Sequence, residues 1–289
     1  MKITKAVITA AGKGQRNLPI QTLIDRDGRQ KSVLSIIVEE VAEAGMEEIC
    51  MVINREDEAA YKSVAGDHSR RITFVYQDEP RGYGQAVTCA KEFTRGEPFL
   101  HLIGDHLYVS RFQPGCAARV VKLAESESCA VSAVQATREG LLRNFGAVGA
   151  RRIVGRNDVY TIEKVIEKPT PTEAEQKLIV PGLRAGYYLC YFGIHVLTPS
   201  VMDNLVRKLS ESADGRLATI SCALDDLSQK EKYLAIEMKD QRYNLGVKYG
   251  LFNAQLALAF NGQDRDEVIA MLMETLLIRE SVETEREKE

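Results

Sequence analysis

Short apolar runs alternate with amphipathic segments along the first half of the chain. Lys5 to Ala10 is apolar, partly β-branched and stops at Gly12, as a buried parallel strand ending at a glycine loop does. Val33 to Ala44 carries Val33, Ile36, Ile37, Val41 and Ala44 at helical spacing, with Gly45 placed for a C-terminal cap. Ile49 to Ile53 is a second strand, so the first fifty residues read as one β-loop-α-β unit, which crosses over right-handedly and makes parallel sheet. The rhythm continues with a strand at 72–76, a helix at 84–93, a strand at 99–103 that stops at Gly104-Asp105, a helix at 115–125 and a strand at 129–136. This alternation predicts an α/β fold with a doubly wound, Rossmann-like, mostly parallel sheet.

From Gly146 the pattern becomes hairpin-like, with strands at 147–150, 159–167 and 185–195 that predict a mixed or antiparallel extension. Thr170-Pro171-Thr172-Glu173 leads into a short helix with Thr172 as its N-cap. Beyond Gly246 the chain reads as helical, at 252–260 and 268–277 with a break at Asn261-Gly262. The expected organisation is therefore a domain over 1–250 followed by a helical segment over 251–289. Its last residues, Arg279 to Glu289, are almost wholly charged and predict a frayed helix end or a disordered tail. Val268, Met271, Leu272 and Leu276 give the segment an apolar face that can pack on its own domain or on a second subunit, so a homo-oligomer stays open.

Composition narrows the partners. A chain of 289 residues with 45% hydrophobic content buries a full core, and a net charge of −3 offers no concentrated basic face for nucleic acid. Six cysteines without a C-x-x-C pair, most of them in apolar runs, read as reduced core thiols. The N-terminus reaches an apolar strand at once, and no stretch approaches the ~20 apolar residues of a membrane span, so a cytoplasmic location away from membranes is expected.

The chemistry concentrates in the first loop, Gly12-Lys13-Gly14-Gln15-Arg16. A glycine-rich turn between a buried strand and a helix exposes backbone N–H groups that favour anions, and phosphate is the obvious candidate. The dinucleotide fingerprint requires a third glycine three residues after the second, but Gly14 is followed by Gln15, Arg16 and Asn17, which disfavours hydride transfer. The phosphate-loop ending Gly-Lys-Ser/Thr is absent as well.

The extended run Ala10-Ala11-Gly12-Lys13-Gly14-Gln15-Arg16-Asn17-Leu18-Pro19 resembles the signature loop of the sugar-phosphate nucleotidyltransferases, nearest to the bacterial uridylyltransferases that act on glucose 1-phosphate. Four further segments follow in the family's order: Gln77 to Val87, Gly104-Asp105, Glu167-Lys168-Pro169 and Ala185 to Tyr188. The resemblance implies that Ala11, Gly12, Gly14, Gln77 and Gly82 bind the nucleotide and that Arg16 and Lys168 are the catalytic cations. It further implies that Glu167, Gly146 and Gly186 hold the sugar, and that Asp105 and Asn244 hold a catalytic Mg²⁺. The substrates so implied are a nucleoside triphosphate, with UTP favoured by Gln77, and a sugar 1-phosphate.

The sequence also departs from the pattern. The family's Pro-Lys pair after the loop is not found, and the nearest lysine, Lys31, reads as a solvated lysine at a helix start. Asn244 stands where the family has its second metal aspartate, and an amide oxygen brings no charge to a hard cation. Gln85 stands where histidine is common, and a long helical insertion is missing between Asn54 and Ile72. Two functional readings follow: a working enzyme that makes UDP-glucose or a similar nucleotide sugar, and a weak or silent homologue that binds nucleotide and regulates an active partner.

Overall fold

The computed structural model describes residues 1–14, 16–211 and 219–286, with side chains through Leu277. The first half runs β1 (Lys5–Thr9), β2 (Thr22–Ile24), β3 (Gln30–Ser32), α1 (Val33–Glu43), β4 (Glu48–Ile53), α2 (Glu58–Ala65), β5 (Ile72–Tyr76), α3 (Tyr83–Thr88), α4 (Lys91–Thr94), β6 (Phe99–Ile103) and β7 (His106–Val109). The second half continues through α5 (Cys116–Glu127), β8 (Ala130–Arg138), β9 (Gly146–Arg152), β10 (Val159–Glu167), α6 (Pro171–Lys177), β11 (Tyr187–Leu197), α7 (Pro199–Glu211) and α8 (Ile220–Ser228). It ends with β12 (Tyr233–Glu237), β13 (Gln241–Asn244), α9 (Gly250–Phe260) and α10 (Arg265–Arg286).

The large sheet has the order β5-β4-β1-β6-β11-β8-β12-β10-β9. Strands β5, β4, β1 and β6 are parallel, and of the whole sheet only β10 and β11 run against the rest. The fully buried β1 explains why the early strands read as continuous apolar runs: Ala6 and Ile8 enter the core shared with α1 and α5, while Val7 enters the core shared with α3, α7 and α8. Each buried Val, Leu or Ile contributes roughly 1.5–3 kcal/mol. Helix α1 begins at Ser32, whose hydroxyl accepts from Ser35 N at 3.0 Å and satisfies an otherwise orphaned donor.

Two local expectations change. The N-cap of α6 is Thr170, not Thr172. Thr170 Oγ1 accepts from Glu173 N at 3.3 Å and Glu173 returns a carboxylate to Thr170 N at 3.0 Å, a reciprocal box with Pro171 in the first turn. Thr170→Ala is expected to lower stability by about 1 kcal/mol, read as a small drop in Tm by calorimetry. The helix expected over 84–93 is split into α3 and α4, because Thr88 Oγ1 and Cys89 Sγ both turn back to the Gln85 carbonyl, at 2.8 and 3.4 Å.

A separate antiparallel ribbon pairs β7 with β13 and sets Asn244 opposite His106. Between Asn54 and Ile72 the chain has only short helical turns around α2, in keeping with the missing insertion. Helix α9 packs on β2, β7 and β13, burying Ala254, Ala257 and Leu258. Helix α10 follows with Met271, Met273, Leu276 and Leu277 exposed; the side chains of the charged run Arg279–Glu289 lie outside the described residues. All six cysteines are free thiols, four of them buried. Among the described residues no helix is long and apolar enough to cross a membrane.

Candidate active site

A cleft of about 560 Å³ opens where β1, β5 and β6 end, the edge at which open α/β sheets bind ligands. Its first wall is the loop after β1, with Ala10, Ala11, Gly12 and Lys13. Gly14 adopts φ 78°, a left-handed conformation that glycine takes without strain, and Arg16 N donates back to Gly12 O at 3.1 Å, which closes the turn. The second wall is Gln77, Gly82 and Tyr83. Gln77 is buried and its Nε2 donates to Gly82 O at 3.1 Å; a carbonyl only accepts, so this bond fixes which end of the amide faces it. Among the described residues Oε1 has no hydrogen-bond partner.

The opposite wall comes from the far half of the sheet. Glu167 ends β10 opposite Gly146 at the start of β9, and Lys168 follows it out of the strand. Lys168 holds φ 46°, left-handed for a residue with a Cβ, and its N–H is anchored on Phe145 O at 3.1 Å. Such backbone costs roughly 1–2 kcal/mol and persists where surrounding structure imposes it. Glu167 is held by the hydroxyl of Ser221, in the first turn of α8.

The floor is a chain of buried polar groups within the sheet. His195 pairs with His101 on β6 and Ser132 on β8, and its Nδ1 lies 2.6 Å from Ser132 Oγ. Ser132 also meets Tyr233, whose hydroxyl is 3.0 Å from that of Tyr191. Burial pushes the His195 imidazolium down to about 3 and holds His101 well below its ordinary range, with the neighbouring His195 adding to the effect. Both groups titrate near 6.5 when unfolded, so their contribution is full above that pH and lost as pH falls toward their native values. The expected result is a Tm that declines as pH drops below about 6.5, measurable by calorimetry against the variant His195→Asn, whose decline is shallower.

Of the residues singled out in the sequence, Ala11, Gly12, Gln77, Gly82, Asp105, Gly146, Glu167, Lys168 and Asn244 converge on this cleft. Gly14 and Arg16 lie in an adjoining groove that shares Ala11, Lys13 and Pro80 with it. The Arg16 guanidinium there is paired with Glu56 at 3.4 Å and Asp57 at 3.5 Å. Gly186 is not part of the lining; at φ 75° it forms the turn before β11, and its carbonyl accepts from Glu139 N. Lys31 is not a solvated helix-start lysine: it sits on β3 with its ammonium held by Asp25 at 2.8 Å, Asp27 at 3.1 Å and Glu39 at 2.7 Å. Gln85 stands behind Gln77 rather than in the lining.

A model of the family described as nucleotidyl transferase matches residues 5–259. The chain belongs to that family. The UTP-glucose-1-phosphate uridylyltransferase 2 of Streptococcus pyogenes serotype M3 is 27% identical over 94% of this chain and 96% of its own length. The corresponding Bacillus subtilis enzyme is 26% identical over 97% and 99%. Among solved structures, a UDP-glucose pyrophosphorylase from Acinetobacter baumannii superposes with a TM-score of 0.73 at 22% identity, covering 94% of this chain and 99% of that one. A UDP-glucose pyrophosphorylase complexed with UDP-glucose gives 0.70 at 23% identity, covering 88% and 98%.

The family resemblance drawn from the sequence implies a divalent metal between Asp105 and Asn244. The residues present here do not fit a protein-held one. Asp105, 7% exposed, has its Oδ1 engaged by His106 Nδ1 at 2.7 Å, and Asn244 spends its Oδ1 on Gly246 N at 2.8 Å. Among the described residues no group of three or more His, Cys, Asp or Glu side chains is placed to hold a metal ion. The expected magnesium pair of Asp105 and Asn244 is thus reduced to one carboxylate that is already hydrogen-bonded.

The sequence reading missed several lining residues of this nucleotidyl transferase: Tyr191, His195, Ser221, His106 and Arg242. Only His106 and Arg242 had a signal, each lying within two residues of an expected metal ligand.

Proposed function

We propose that this nucleotidyl transferase transfers a uridylyl group from UTP to a sugar 1-phosphate, glucose 1-phosphate first among them, giving the UDP-sugar and pyrophosphate. The observation that carries the reading is the convergence of the glycine loop, Gln77 and the Glu167-Lys168 pair on one cleft from both halves of the sheet. Curated relatives that span nearly the whole chain are uridylyltransferases of this type, which supports it.

In this reading the uracil lies against Gln77. Its N3–H donates to the free Oε1, whereas cytosine presents an acceptor at N3 and would meet another acceptor. The loop N–H groups of Ala11 and Gly12, with Lys13, receive the phosphates, and the triphosphate tail runs toward the groove that holds Arg16. Glu167 accepts from sugar hydroxyls, with Ser221 fixing its rotamer, and Lys168 pairs with the sugar phosphate. A phosphate oxygen of the sugar attacks the α-phosphorus in line; the new P–O bond forms as the α–β bridging bond breaks, and pyrophosphate carries away the electron pair. Alignment of two anions and neutralisation of their charge is the protein's task.

Incubation with glucose 1-phosphate and each nucleoside triphosphate in turn, with product separation by chromatography, tests the reading. UDP-glucose should form, and CTP should be used at least ten times less well. Equal use of CTP, or no nucleotide sugar from any triphosphate, overturns it.

A further inference from the structure

Arg242 is a lining cation whose charge the reading above leaves unused. It lies on β13, two residues before Asn244 and partly buried. Its guanidinium carbon sits 3.9 Å from the centroid of the Phe145 ring and 5.8 Å from that of Phe192, and one of its nitrogens donates to the Tyr191 carbonyl. Among the described residues it makes no ion pair with a carboxylate. An arginine drawn partly out of water normally has one, because desolvating a guanidinium without a counter-charge is unfavourable.

The ionisable lining of the cleft completes the picture. Lys13, Lys168 and Arg242 stand against only two carboxylates, Asp105 and Glu167. An aspartate at position 244 would bring the balance to three against three; with Asn244 the cleft keeps an excess cation. Asn244 and His106, paired across the β7–β13 ribbon, bring no carboxylate where a metal would need one. The stacked, backbone-anchored guanidinium is also rigid and presents planar donors, the property that suits arginine to phosphate.

We propose that Arg242 is a substrate-binding residue whose counter-charge is a phosphate of the nucleotide, and that this chain binds UTP through its own cations without a divalent metal held between residues 105 and 244. The proposal rests on reading the cleft as a nucleotidyl transferase site. Phe145 and the Tyr191 carbonyl hold the guanidinium in place before substrate arrives, so the ligand does not have to order it.

Titration calorimetry with UTP, in buffer containing EDTA and in buffer containing magnesium chloride, tests both parts. The wild-type protein should bind UTP in EDTA within about threefold of its affinity in magnesium. Arg242→Gln should lose about ten- to a hundredfold in EDTA, the range that corresponds to a charge-assisted hydrogen bond at 1.4 kcal/mol per tenfold. Because Arg242→Gln also removes a stacking contact, Arg242→Lys is measured beside it: retention of the charge should restore a substantial part of the affinity, and thermal melting identifies a variant that has merely unfolded. Binding that appears only with magnesium, or a folded Arg242→Gln that matches wild type, overturns the proposal and leaves the proposed function standing. No UTP binding in either buffer removes the proposed function itself.

Discussion

Lys168→Met is expected to lower kcat with glucose 1-phosphate by two to three orders of magnitude while leaving Tm nearly unchanged. Lys168 is an exposed lysine at the mouth of the cleft and makes no ion pair among the described residues, so the free protein loses little when its charge is removed. The bound state differs, because substrate covers the ammonium and sets it against a dianionic phosphate. A unit charge pair at ~4 Å is worth roughly 4 kcal/mol at an effective dielectric near 20, and at about 1.4 kcal/mol per tenfold most of that reaches the rate if it is felt in the transition state. The backbone makes a sharper comparison available. Lys168 occupies φ 46°, which glycine adopts without strain, so Lys168→Gly should raise Tm slightly while losing turnover as completely as Lys168→Met. Steady-state kinetics and calorimetry on the two variants check this, and a Lys168→Met enzyme within fivefold of wild type would show that the lysine does not face the sugar phosphate.

Gly146→Ala carries the second large effect, aimed at the sugar and not at the nucleotide. A Cβ there would lie 2.8 Å from Ser221 Oγ, 2.9 Å from Tyr191 Cδ2 and 3.1 Å from Glu167 Oε2. All three are cleft-lining side chains, and each must move to admit a methyl group. Glu167 is the group whose position matters most, since it is set by Ser221 and by the pairing of β10 with β9. Overpacking of this kind costs about 1–3 kcal/mol of stability. A displacement of about 1 Å at a positioning group costs on the order of a hundredfold in rate. The expected outcome is a kcat/KM for glucose 1-phosphate reduced about a hundredfold with the calorimetric Kd for UTP unchanged; an unaltered kcat/KM would place the sugar elsewhere.

The parts of the molecule that were legible in the sequence are those where one residue type has one physical meaning. The run Lys5 to Ala10 ending at Gly12 could only be a buried strand entering a glycine turn, and the structure has β1 there with Gly14 in the left-handed region. Glu167-Lys168 was found differently, through the resemblance of Glu167-Lys168-Pro169 to a family segment, since the pair alone reads as ordinary surface charge at the end of β10. What escaped were polar groups inside apolar runs. His195, Tyr191 and Tyr233 carry no local signal, since the bonds that satisfy them come from Ser132 and from one another across the sheet, over sequence separations that no local pattern records. At Arg16 and Lys31 the charge was visible and the partners were not: Arg16 meets Glu56 and Asp57 in the adjoining groove, and Lys31 is held by Asp25 and Glu39. Asn244 was recognised as a departure, but its consequence depends on two bonds that only the fold supplies, those to Gly246 and between Asp105 and His106.

The central claim is that this cleft joins a nucleotide to a sugar phosphate, and coupled detection of pyrophosphate tests it most directly. With UTP and glucose 1-phosphate in magnesium buffer, pyrophosphate should appear in step with UDP-glucose, should depend on both substrates, and should fall to near background in Lys168→Met. Binding of UTP without pyrophosphate release above that of the Lys168→Met control would contradict the claim.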